Sequence, residues 1–321
     1  MRSMKRRITG VVATAAALSL GLAACSGDSG EGGDGDNGDN GANKSEPISI
    51  GIASGWPEGE AASYMWKVML ENQGYTVEME TAEIGTIFTS LAGEGGYDLL
   101  FDAWLPTTHK DYVEKYGDDI QDLGVWYDQA TLNIAVNDDA PIDSLTELAD
   151  NADAFGNRLV GIDPGAGLTQ QTQENVIPEY GLENMEFVIS STSSMLAELK
   201  SATQSGDNIV VTLWHPHWAY DAFPIRDLED PKGTLGDAEK IHTFGNSTFK
   251  DDYPEVADAI GNFKITDDQL AEIENIMFNE NDGEKNLESA KTWLEDNPDF
   301  EEGIFGGSSD DDSSDEDSSE S

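Results

Sequence analysis

The chain has one cysteine in 321 residues, Cys25, so no intrachain disulfide can form. Basic residues are scarce: 17 Lys and Arg stand against 64 Asp and Glu, for a formal net charge of −47. That balance argues against nucleic acid as a partner, because phosphate contacts need Lys and Arg. It argues equally against loose electrostatic binding to anionic lipid. There are four histidines, and only His215 and His217 stand close together. With no cysteine and no third histidine at ligand spacing near them, a metal site is not expected. No G-x-S-x-G elbow, H-E-x-x-H pair or P-loop occurs, and no internal repeat. Carboxylates are too abundant for a catalytic pair to stand out. After the N-terminal segment, no apolar run is long enough to span a bilayer.

What is present at the N-terminus is informative. Lys5-Arg6-Arg7 precedes an apolar run from Ile8 to Ala24, which ends Leu22-Ala23-Ala24-Cys25. A basic start, a run of that length and a small-residue end predict a signal peptide over 1–24. Leu-Ala-Ala-Cys resembles a bacterial lipobox, which implies cleavage before Cys25 and lipid on its thiol. Residues 25–46 then form a Gly/Asp-rich tether, expected to be disordered, between the anchor and the folded part. Residues 306–321 are expected to be a disordered acidic tail.

Removing these ends leaves residues 47–306 with a net charge of about −39, so the acidity belongs to the folded part. A heavily carboxylated, solvated surface repels itself at low salt and is screened at high salt. A salt-rich habitat is the hypothesis that follows.

Within the core, strand and helix patterns alternate. The predicted strands are Ile48–Ile52, Tyr75–Met79, Tyr97–Trp104, Leu159–Ile162, Glu186–Ile189, Ile209–Leu213 and Lys240–Phe244. Helices are predicted over Glu60–Asn72, Ile84–Leu91, Thr107–Tyr116, Ser144–Phe155, Leu168–Tyr180 and Met195–Ala202. Val125–Val136 reads as a long β-rich crossover. Thr266-Asp267-Asp268-Gln269 fits a capping box, before Leu270, Ile273 and Met277 on one helix face. The alternation predicts an α/β fold in two lobes with largely parallel sheets. Lobe 1 is assigned residues 47–135 plus 240–305, and lobe 2 residues 136–239.

In such sheets ligands bind beyond the carboxyl ends of the strands. Trp56, Trp104 and Trp214 stand there beside Pro, Gly or His, whereas Trp66 and Trp293 sit inside helices and read as core. Indole faces attract cations, and quaternary ammonium groups above all. His109 reads as a donor to an anion, although alone it would pass for a surface residue. The Gly165-Ala166-Gly167-Leu168 turn opens a helix, where free N–H groups can hold a carboxylate.

Four segments carry a family resemblance. Ala103-Trp104-Leu105-Pro106-Thr107-Thr108-His109-Lys110 resembles the A-W-L-P-x-T-H-K signature of glycine betaine substrate-binding proteins of osmoprotectant ABC transporters. Gly161-Ile162-Asp163-Pro164-Gly165-Ala166-Gly167 resembles their G-I-D-P-G-x-G segment, Trp214-His215-Pro216-His217-Trp218 their W-x-P-H-W, and Asp230-Pro231-Lys232 their D-D-P-K stretch. The resemblance implies a two-lobed periplasmic-binding-protein fold of the type II kind, without enzymatic activity or cofactor. It implies that Trp56, Trp104 and Trp214 box the ammonium group, and that His109 and the N–H groups of Gly167 and Leu168 meet the carboxylate. Pro57 departs from the Trp-acid segment usual after the first tryptophan. The implied partners are glycine betaine or a similar zwitterion, and an ABC permease with its ATPase. The implied setting is the extracytoplasmic face of a membrane, through the lipid anchor, as a monomer. Choline is the rival ligand, with Glu58 or Asp102 as the acid it would need. An osmolyte sensor and a lipid-anchored hydrolase are the other readings.

Overall fold

A computed structural model describes residue 44 and residues 46–93 and 95–306. The expected signal peptide, Cys25, most of the tether and the acidic tail from 307 onward lie outside the described residues. Nine strands form the scaffold: β1 (Ile48–Ala53), β2 (Val77–Ala82), β3 (Leu99–Leu105), β4 (Ile120–Asn137), β5 (Arg158–Val160), β6 (Glu186–Val188), β7 (Val210–His215), β8 (Ile225–Asp227) and β9 (Glu239–Asn246).

The architecture is α/β and two-lobed, and β4 explains how the lobes connect. Its first part, Ile120 to Ala130, pairs antiparallel with β9 in a sheet ordered β2-β1-β3-β9-β4. Its second part, Thr131 to Val136, pairs antiparallel with β7 in a sheet continuing β7-β5-β6, with β8 alongside. A strand of 18 residues can serve both sheets because its β-branched and aromatic content holds it extended. The expected crossover at Val125–Val136 is the middle of this strand.

The sheets are mixed rather than largely parallel. Parallel pairing is confined to β1 with β2 and β3, and to β5 with β6 and β7. The chain returns to the first sheet through β9, which runs antiparallel between β3 and β4. The strand expected at Lys240–Phe244 is this return; its antiparallel insertion between β3 and β4 breaks the βα alternation, from which largely parallel sheets follow.

The first long helix runs Pro57–Asn72, three residues earlier than the apolar period suggests. Pro57 occupies its first position, where the missing N–H costs nothing and the fixed φ suits a helix start. Its buried face carries Ala61, Met65, Val68 and Met69, as the spacing predicts. Trp66 stacks on Phe101 of β3, at 5.4 Å and 18°, and meets Phe263 edge-on. Trp66 and Trp293 are core residues. The helix Asp267–Glu274 begins with the predicted capping box, Thr266 accepting from the Gln269 N–H and Gln269 accepting from the Thr266 N–H. Such a cap contributes about 1 kcal/mol. Helices Pro254–Asn262, Asn286–Asp296 and Pro298–Phe305 close the chain on the first lobe.

Candidate functional site

β1, β3 and β7 all end at one place, and the loops beyond them converge there. Gly55 turns the chain at a positive φ of 77° after β1, which leaves Trp56 at the N-cap of the helix Pro57–Asn72. Trp104 lies near the end of β3 and Trp214 near the end of β7. The predicted helix at Thr107 starts only at Lys110, so Thr107–His109 form a turn that sets His109 at the helix N-cap. The segment from Leu168 to Tyr180 is helical as expected, starting at Gly167 and containing a π turn over Thr172–Val176.

These elements line a small, partly open cavity. Its walls include Trp56, Trp104, Trp214, His109, Gly167 and Leu168, the six residues singled out in the sequence. Glu58, Thr108, Leu132, Ile162 and Ala166 complete them. Three indoles, four aliphatic side chains and a few polar atoms make an apolar cage suited to a small ligand.

His109 is fully buried, not at the surface position it would be given if read alone, and it lines the cavity as expected for a residue beside Trp104. Trp56 stacks on its ring at 5.5 Å and 14°. The backbone N–H of Trp104 donates to Nδ1 at 2.8 Å, so in the neutral ring the proton sits on Nε2. Burial pushes the ring's pKa down to about 3, which keeps it neutral. Among the described residues Nε2 has no hydrogen-bond partner. A buried N–H donor without an acceptor is costly. This one borders the cavity.

The turn carrying His109 is held from outside. The buried carboxylate of Glu239 accepts from the Thr107 and Thr108 N–H groups, at 2.7 and 2.9 Å, and from the Thr108 hydroxyl. Thr108 in turn abuts Gly167. A Cβ on Gly167 would come within 2.6 Å of the Thr108 carbonyl oxygen and 2.5 Å of its Cγ2, so only glycine allows this approach. Gly167 and Leu168 are the first two residues of their helix, and their N–H groups have no carbonyl within it to bond.

Two of the indoles are fixed by carboxyl groups. Asp102 and Trp104 alternate on one face of β3, and Asp102 Oδ1 accepts from Trp104 Nε1 at 2.8 Å. Glu58 Oε2 accepts from Trp214 Nε1 at 3.0 Å, a contact between the two lobes. The ring of His217 packs edge-on against Trp214 at 4.7 Å. Both acids are buried. Burial first, then the charges of Asp102 and Glu274, hold Glu58 well above the usual carboxylate range. Burial pushes Asp102 up to about 7. Pro57 displaces the acid by one position from the tryptophan, yet Glu58 still reaches the cavity. The part played by Glu274, buried behind these groups, went unread in the sequence. It lies four residues after Leu270 and three before Met277, on the same apolar helix face, and that spacing was the available signal.

A family model, OpuAC, the substrate-binding domain of the ABC-type glycine betaine transport system, matches residues 46–296. The chain belongs to this family. As a family member it is a substrate-binding domain of an ABC transport system, and not an enzyme. The glycine betaine/carnitine transport binding protein GbuC of Listeria monocytogenes is 37% identical over 162 residues, covering 50% of this chain. The match spans about half, 52%, of that relative's length.

Solved structures agree over more of the chain. The glycine betaine/L-proline-binding protein ProX from Borrelia burgdorferi superposes with a TM-score of 0.75 at 31% identity, covering 81% of this chain and 96% of that one. Lactococcal OpuAC, closed and complexed with glycine betaine, gives 0.74 at 26%, covering 81% and 99%. A choline-binding protein of an ABC transporter, in complex with choline, gives 0.71 at 25%, covering 81% and 92%. Among the described residues no helix is long and apolar enough to cross a membrane, and no cluster of His, Cys, Asp and Glu has the arrangement to hold a metal ion.

Proposed function

We propose that the cavity binds glycine betaine or a closely related quaternary-ammonium zwitterion and that the protein delivers it to an ABC permease with its ATPase. The trimethylammonium group sits among Trp56, Trp104 and Trp214. Such a group cannot donate hydrogen bonds, so π-faces are the fitting partners, each contributing about 0.5–2 kcal/mol. The carboxylate accepts from His109 Nε2–H and from the N–H groups of Gly167 and Leu168. The observation that carries this reading is the unpartnered His109 Nε2 in the wall of an indole-lined cavity. It is a neutral donor in want of an anion, opposite surfaces in want of a cation.

Ligand contacts to both lobes favour the closed form, a hinge closure. Lobe 1 supplies Trp56, Trp104 and His109, and lobe 2 supplies Trp214, Gly167 and Leu168. The protein acts as a monomer outside the cytoplasm, held to the membrane by lipid on Cys25. A titration of intrinsic tryptophan fluorescence with glycine betaine tests the reading. A saturable change without turnover of the ligand is expected, and the absence of any response would refute it.

Choline is the second reading, and Glu58 favours it. Its carboxyl lies in the cavity wall, where choline's cation or hydroxyl would meet it. Choline, however, has no carboxylate and can offer the His109 N–H only a neutral hydroxyl oxygen, a weaker acceptor than an anion.

A further inference from the structure

Three carboxyl groups lie together at and behind the indole cage. Glu58, Asp102 and Glu274 are each 1% exposed. They come from the helix Pro57–Asn72, from β3 and from the helix Asp267–Glu274. Asp102 packs so tightly against the first of these helices that a Cβ on Gly59 would lie 2.4 Å from its Oδ2. Among the described residues, no Lys, Arg or His forms an ion pair with any of the three. Asp102 Oδ2 and Glu274 Oε1 have no hydrogen-bond partner.

The groups facing the cluster give no cation either. Trp214 donates its indole N–H to Glu58, and Trp104 donates its own to Asp102. Asp221 adds a negative charge near Glu274, Tyr127 a neutral phenol, and the neutral His109 shares the cavity wall with Glu58. Asp267, the neutral His217 and His215, which pairs with Asp227 instead, line a second cavity with Glu274. Like charges without counter-charge in a poorly polarisable interior repel by several kcal/mol at contact distances. The cluster therefore retains protons. Burial pushes Glu274 up to about 8, and Glu58 is raised by burial and by both neighbours.

A cation held against the faces of Trp104 and Trp214 meets the same indoles whose N–H edges these acids bind, and Glu58 lines the same cavity. It supplies the positive charge the cluster lacks and favours its ionised form. We infer that capture of a quaternary-ammonium ligand expels a proton from the Glu58–Asp102–Glu274 cluster, so that binding is proton-linked and tightens as pH rises. A carboxylic O–H bond breaks, the proton passes to solvent, and the carboxylate stays behind, with its negative charge set against the bound cation. The inference rests on the cavity being an ammonium site, as proposed above.

Calorimetric titration of the wild-type protein with glycine betaine, at neutral pH in phosphate and in Tris, tests it. These buffers differ widely in heat of ionisation, so the difference in observed enthalpy counts the protons. A measurable fraction of a proton released is expected, with a Kd that falls as pH rises; one whole proton corresponds to about tenfold per pH unit. Equal heats in both buffers, or proton uptake, would overturn the inference. No heat and no binding at all would instead overturn the ammonium reading. Glu274 does not line the cavity, and in Glu274→Gln the proton count should fall. A purely structural role would alter affinity or stability and leave the proton count as in wild type, which would remove Glu274 from the cluster. If that variant does not fold, the two-buffer comparison on the wild type still decides.

Discussion

The indole N–H of Trp214 donates to the carboxyl of Glu58 at 3.0 Å, and the two residues stand in different lobes. One hydrogen bond therefore aims a wall of the cage and ties the lobes together. Glu58→Gln keeps an acceptor at the same place, and Glu58→Leu removes it. Glycine betaine affinity should survive the first change within a few fold and fall by about tenfold in the second, the equivalent of about 1.4 kcal/mol. Titration of both variants by tryptophan fluorescence checks this. Equal losses in the two would assign Glu58 a role through its charge alone.

The cage itself predicts a graded loss. Trp104→Ala and Trp214→Ala should each weaken glycine betaine binding by about tenfold or more, since an indole–cation contact contributes up to about 2 kcal/mol. Trp66→Ala should act on stability instead, because Trp66 packs in the core against Phe101 and Phe263. Affinity and Tm measured on the same samples separate the two effects.

Gly167→Ala tests lobe contact without touching a charge. The added methyl would meet the Thr108 carbonyl oxygen, a backbone atom with little freedom to move. Affinity should drop at least several fold while Tm in the absence of ligand stays near wild type. A variant that binds normally would show that the lobes need not approach this closely.

How much of this was legible in the sequence depends on the element. Trp56, Trp104, Trp214 and His109 were readable because each stands at a strand end beside turn residues, where side chains face a cleft. The helix Asp267–Glu274 was readable from its capping box and its apolar spacing. The mixed sheets were not, because β9 returns from far along the chain and inserts between β3 and β4. The acid cluster was not read either. Asp102 and Glu58 were noticed as neighbours of tryptophans, but their burial with Glu274 arises from packing among two helices and a strand distant in sequence. The full burial of His109 is not legible locally either, since its cover comes from Trp56 and Phe88.

Stability should depend on pH in a direction set by the same acids. Asp102 and Glu274 have folded-state pKa values raised to about 7 and about 8 from 3.8 and 4.5, so the native state binds more protons than the unfolded chain in between. Their contribution to stability is present below pH about 4 and is lost as pH rises towards 8. The buried His109 and His217, both lowered to about 3, act oppositely, adding stability as pH rises through the range from about 3 to 6.5. Comparing Glu274→Gln with wild type cancels the histidines. The variant's Tm should gain on the wild type between pH about 5 and about 8. A constant difference would contradict the burial-driven shift.

Salt should stabilise the protein. Residues 47–306 carry a net charge of about −39, and few of their acids have a basic partner: the Lys and Arg ion pairs among the described residues are Lys67–Glu71, Lys110–Glu114, Arg158–Glu198 and Arg226–Asp143. Raising ionic strength from about 0.1 to about 1 M shortens the screening length from about 10 to about 3 Å. Tm should rise over that range, and a flat or falling Tm would argue against adaptation to a salt-rich medium.

The central claim is that one cavity recognises both ends of a betaine, the cation by three indoles and the carboxylate by His109 with Gly167 and Leu168. Its most direct test is the affinity of the wild-type protein for glycine betaine and for choline, measured side by side by fluorescence titration, with proline betaine and carnitine for comparison. Glycine betaine should bind more tightly than choline, since only the betaine offers a charged carboxylate to the His109 N–H and to the Gly167 and Leu168 N–H groups. Tighter binding of choline would contradict it.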